Sequence, residues 1–123
     1  MFRVIAMSDN ADKMRQARDN WQLYYTLSQE ILKFIDRGDV DEFLDLVGQR
    51  NALVDRMKAL PETEVYRHTD ECRALVEKIK PLDMQAIYKA KAWLNKSRRQ
   101  NATAHAYDIQ GLISVGNIFN KKY

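Results

Sequence analysis

The chain has 123 residues, 46% hydrophobic and 30% charged, with a net charge of +3 and a pI near 9.0. That length suits one domain that buries a core without disulfides or metal. A single cysteine excludes an intrachain disulfide, four glycines and two prolines argue against an all-β fold, and the mild basicity falls short of a dedicated nucleic-acid binder.

Residues 1–9 read as a loose lead-in. Within them Phe2 to Met7 is too short for a signal-peptide core and has no cleavage pattern. No stretch approaches the length of a membrane span. The expectation is a cytoplasmic protein that leaves membranes alone.

The first helix is expected over residues 10–37. Met14, Ala17, Trp21, Tyr24, Ser28, Ile31 and Ile35 recur in steps of three and four, which puts them on one stripe. Leu27, Leu32 and Phe34 widen it, as befits a bundle helix with two neighbours. Tyr25 follows Tyr24 and must point about 100° away. Gly38 reads as a C-terminal stop.

Asp39 then reads as an N-cap with Glu42 three residues on, opening a second helix over 39–59. Its inner face is expected to carry Val40, Phe43, Leu44, Val47, Val54 and Met57. So short a turn makes the two helices antiparallel. A third helix is expected over 64–80, with Val65, His68, Cys72, Leu75 and Ile79 inward. The rhythm runs on through Pro81 to Leu82 and Ala86, so residues 82–110 form a fourth helix or continue the third. A proline inside a helix costs about 3 kcal/mol and either kinks or breaks it. Beyond Leu94 the inner face thins to Ser97, Asn101 and Ala104. Residues 111–123 form an apolar tail carrying Ile109, just before it, and Leu112, Ile113, Ile118 and Phe119. The expected architecture is all-α: one domain over 1–123, an antiparallel three- or four-helix bundle of long helices with a kink or break at Pro81.

Convergent reactive groups are missing. His68 and Cys72 share a face at i and i+4, but two ligands do not make a zinc site, and the pair reads as a half-buried histidine beside a core cysteine. No Glu-x-x-His, P-loop, Gly-x-Gly-x-x-Gly or Gly-x-Ser-x-Gly occurs. The chain reads as a non-enzyme with no metal or cofactor. Binding features remain. Lys89 to Arg99 interleaves cations with Trp93, which can grip phosphates and stack a base, or can be the solvated back of a helix with Trp93 packed inward. The tail needs a cover: its own domain, a partner helix or a second copy.

Several stretches, in order, resemble the FliT/FlgN-like flagellar export chaperones, the FliT-like branch above all. They are Trp21–Ile35, Gly38–Phe43, Gln49–Leu53, Ile79–Ile87 (IKPLDMQAI, similar to a family segment Ile-x-x-Leu-Asp-x-x-Ile) and Ala106-Tyr107 followed by the glycine-containing tail. The resemblance implies a helical chaperone without ATPase activity. It would bind the C-terminal helical part of an exported flagellar protein, a filament-cap or hook-associated one, and deliver it to the export gate. The implied groove is lined by Ile31, Phe34, Phe43, Val47 and Leu94, and Tyr107 is the implied gate contact. Two alternatives stand beside it: a small nucleic-acid binder using Lys89–Arg99, and a structural bundle that dimerises through its tail.

Overall fold

A computed structural model describes residues 2–98, as four helices: α1 Phe2–Asp36, α2 Val40–Ala59, α3 Glu62–Arg67 and α4 Asp70–Arg98. The tail and Tyr107 lie outside the described residues. The bundle is all-α, and α1 is its axis. Both α2 and α4 pack along α1, and α3 packs across it, whereas the backbones of α2 and α4 hardly approach each other.

The corner between α1 and α2 follows from two residues. Gly38 adopts φ +77°, the left-handed conformation that only glycine enters without a Cβ penalty. Its N–H donates to the Ile35 carbonyl at 3.1 Å and that of Asp39 to Phe34 at 3.0 Å. Asp39 then caps α2, its Oδ1 accepting from the Glu42 N–H at 3.3 Å. The chain reverses within residues 37–39, so α2 runs antiparallel to α1.

Two surface ion pairs show the direction of α4. Arg18 meets Glu71 at 3.0 Å and Asp36 meets Lys89 at 2.5 Å. Both partners advance together along the chain, so α4 runs parallel to α1 and antiparallel to α2.

Two expectations change, and one open alternative is decided. The lead-in is not loose: α1 begins at Phe2 rather than near residue 10, because the polar run Ser8–Lys13 contains neither glycine nor proline to stop it. The third helix does not run unbroken from Glu64: α3 ends at Arg67 and α4 restarts at Asp70. Thr69 makes that break, its Oγ1 accepting from the Cys72 N–H at 3.2 Å, with Asp70 and Glu71 in the first turn where the helix dipole favours acids. Val65 and His68 are consequently exposed rather than inward. Finally, α4 passes through Pro81 without a break. Pro81 is exposed, on the solvent side where a helix naturally bows outward and water can reach the carbonyl freed one turn earlier.

The core is one cluster that includes Trp21, Tyr24, Ile31, Phe43, Leu53, Met57, Val76 and Ile79. Trp21 and Tyr24 are inside and Tyr25 only half-buried, as their angular separation requires. Trp21 Nε1 donates to the Thr63 carbonyl at 3.4 Å, which fastens α3 across α1.

Candidate functional site

Arg50 lies in the middle of this core with no solvent exposure. Its position on α2 places it on the stripe of Phe43, Val47 and Met57. One nitrogen, Nη1, donates to Asp83 Oδ1 on α4 at 2.6 Å and to Ser28 Oγ on α1 at 2.8 Å. The Ser28 hydroxyl in turn donates to the Tyr24 carbonyl at 2.8 Å, and the Arg50 guanidinium sits 4.8 Å from the Tyr24 ring centre. One side chain thus ties three helices, and it bridges the two whose backbones hardly approach each other.

The tie is incomplete. Arg50 Nε and Nη2 are buried without a hydrogen-bond partner among the described residues. Burial pushes the Asp83 carboxyl above its ordinary range, and the adjacent Arg50 opposes this without cancelling it. Burial also raises the Tyr24 hydroxyl well above its usual value. A buried pair of this kind is weak evidence for stability and better evidence for a fixed arrangement of helices.

Along the faces that carry the bridge lie half-buried apolar residues. Val54 follows Arg50 at i+4 on α2, while Ile87 and Leu94 follow Asp83 at i+4 and i+11 on α4. A further helix laid along these residues, opposite α1, would make a four-helix arrangement.

Of the residues expected to line a groove, Ile31, Phe43 and Val47 are closed inside the core, at 0%, 0% and 1% exposure. Phe34 and Leu94 are half-buried. Phe34 sits at the α1–α2 corner with Lys33 and Arg37 over its ring at 5.5 and 5.7 Å. Tyr107, Ile109, Leu112, Ile113, Ile118 and Phe119 fall outside the described residues. In the basic segment, Trp93 packs against the core and Lys89 is paired with Asp36, which removes the stacking platform and one cation from the phosphate-binding reading.

His68 is exposed, 3.9 Å from Glu64, rather than half-buried beside Cys72. Cys72 is fully buried and burial pushes its thiol up to about 12, the setting of an inert core residue. No group of three or more His, Cys, Asp or Glu among the described residues could hold a metal. An open depression of about 420 Å³ between Gln16, Asn20, Arg56, Ala59 and Leu60 gathers no acid–base pair or nucleophile. No described helix is long and apolar enough to cross a membrane.

The sequence profile of the flagellar protein FliT matches residues 18–109, most of the chain. The chain belongs to the FliT family. FliT proteins are flagellar export chaperones. The FliT match begins one turn before Trp21 and spans the Arg50–Asp83 bridge and the whole described length of α4. No curated protein and no solved structure matches the chain. Arg50 and Asp83 lie in the Gln49–Leu53 and Ile79–Ile87 stretches that carry the resemblance to FliT.

Proposed function

We propose that the chain is a non-enzymatic cytoplasmic chaperone that holds an amphipathic helix of an exported flagellar protein in the cleft between α2 and α4. The observation that carries this reading is the FliT family match over residues 18–109. The sparse backbone contact between α2 and α4 supports it, since a helix seated along that seam would leave the packing of each on α1 intact. The client is the C-terminal helical part of a filament-cap or hook-associated protein. Its apolar face lies on Val54, Ile87 and Leu94, with Phe34 at the far corner, as an amphipathic helix lies in a groove. Ile31, Phe43 and Val47 form the floor under these contacts and act by holding the helices in place. The tail residues Ile109, Leu112, Ile113, Ile118 and Phe119 cover the cleft when no client is bound, and Tyr107 contacts the export gate. A closed population of that kind lowers the apparent affinity by the fraction of molecules that are open.

The test is calorimetric titration of the purified chain with the C-terminal segment of its own organism's filament-cap protein. A 1:1 complex with a negative heat-capacity change is expected. Leu94→Glu and Ile87→Glu, both at half-buried positions, should each weaken it by roughly tenfold or more while helicity is retained. Deleting residues 111–123 should tighten it. If neither the filament-cap nor the hook-associated segments bind, the client reading fails. If truncation leaves affinity unchanged, the covering role of the tail fails by itself.

A further inference from the structure

Among the described residues four large apolar side chains are exposed: Leu23, Val65, Met84 and Tyr88. Met84 and Tyr88 stand out because they are one turn apart on α4, at 72% and 75% exposure. Asp83 points toward α2, so Met84 lies about 100° and Tyr88 about 140° around the helix from the bridge. The pair therefore forms the outer face of α4, away from the cleft.

The surroundings of this pair are positive. Between Lys78 and Lys96 the only acid is Asp83, which is buried. Two of the lysines are neutralised, Lys80 by Glu77 at 3.2 Å and Lys89 by Asp36. Lys78, Lys91 and Lys96 are exposed and make no ion pair among the described residues. Lys91 lies one turn beyond Met84 and Tyr88 on the same strip.

We propose that Met84 and Tyr88, flanked by Lys78, Lys91 and Lys96, form a second docking surface that takes an acidic amphipathic helix of another protein. Two apolar anchors one turn apart on a convex helix fit apolar residues spaced three or four apart on a partner. Tyrosine supplies a large, rigid contact and methionine an adaptable one, the residue types that carry interface energy. The three lysines select glutamate and aspartate on the partner's flanks and reject a basic helix. A second copy of this chain fits less well: beside its exposed acids stand only single exposed apolar residues, Leu23 near Asp19 on α1 and Val65 near Glu64 on α3, and no pair one turn apart to match Met84 and Tyr88. A nucleic acid fits poorly too, since three free lysines offer few phosphate contacts and Trp93 is packed away. This surface goes beyond the client reading and stands or falls separately from it, because the two faces of α4 can be occupied together.

The test uses the full chain and a synthetic helical peptide with leucines at i, i+4 and i+7 and glutamates on both flanks, alongside the same peptide with lysines for glutamates. Fluorescence anisotropy should show binding of the glutamate peptide, weakening several-fold as salt is raised, and none of the lysine peptide. The double variant Met84→Ser/Tyr88→Ser should lose roughly tenfold or more, and Lys91→Glu several-fold. Both positions are exposed, so circular dichroism should confirm intact folding. Val65→Ser and the uncharged cleft variant Ile87→Ser should bind the peptide as the parent does, which separates this surface from the cleft. Equal binding of both peptides, no binding at about 1 mM, or an unchanged Met84→Ser/Tyr88→Ser affinity overturns the proposal. So does a dimer in sedimentation that the Met84→Ser/Tyr88→Ser variant dissolves, which would give the face to a second copy. Displacement of the peptide by single-stranded DNA would give it to nucleic acid instead.

Discussion

Of the ion pairs that hold α4, Arg50–Asp83 and Asp36–Lys89 differ in almost everything but chemistry. Arg50–Asp83 lies inside, its side chains at 0% and 8% exposure, and joins α4 to α2. Asp36–Lys89 lies outside, at 61% and 38%, and joins α4 to α1. The carboxyls respond in opposite directions. Burial raises Asp83. The hydrogen bond from Lys89 and its charge lower Asp36, and desolvation opposes them without cancelling the effect. Distance alone therefore says little about what a charge pair contributes; the solvent it gives up decides.

The comparison is most easily broken at Arg50. Arg50→Ala leaves a buried carboxyl without its cation and opens a void, so urea unfolding should show a loss of about 3–5 kcal/mol. Replacing both partners by apolar residues, Arg50→Met with Asp83→Leu, removes the desolvation cost along with the attraction. The double variant should recover most of that loss and match or exceed the parent in stability, by up to about 1–4 kcal/mol. A double variant as unstable as Arg50→Ala would show that the bridge itself stabilises the bundle.

Asp83→Asn sharpens the contrast by its pH dependence. The folded chain holds the Asp83 proton more tightly than the unfolded chain does. Stability from this group is fully present below the ordinary value of 3.8 and is lost as pH rises through the raised folded value. Asp83→Asn should therefore cost more near pH 4 than at pH 7, and less than Arg50→Ala at both, in denaturation curves across that range. Asp36 has the other sign: its support is present above 3.8 and is lost as pH falls through the lowered folded value. Asp36→Asn and Lys89→Ala should leave the neutral-pH unfolding midpoint unchanged within error, since exposed pairs are screened and cost side-chain entropy to hold.

The α1 stripe was legible because its spacing never wavers: Ala17, Trp21, Tyr24, Ser28, Ile31 and Ile35 are all buried. The Gly38-Asp39 corner was legible because turn chemistry is local. The break at Thr69 was hidden by apolar residues that kept their rhythm across it, although Thr-Asp-Glu carries an N-terminal signature. On the inner face of α4, Cys72, Leu75, Ile79 and Ala86 were legible, but between the last two Leu82 reads as the inward residue where Asp83 is, because a charged residue is a poor guess for a core position. Its partner Arg50 was hidden for the same reason. Yet Arg50 falls three residues after Val47 and Asp83 four after Ile79, so a cation and an anion both landing on apolar stripes was a readable sign of a bridge. The cleft was the least legible part, since helix periodicity says which residues face inward and not which neighbour they meet.

The three-residue corner at Gly38 also sets an order of events. A chain leaves the ribosome N-terminus first, and helices joined so closely pair quickly because little loop entropy is lost. The α1–α2 hairpin can thus assemble while α4 is still being synthesised. Throughout that interval Arg50 has Ser28 for company but no carboxylate. A naked guanidinium at the centre keeps the half-built molecule wet, and the last long helix to emerge delivers the anion that lets it dry.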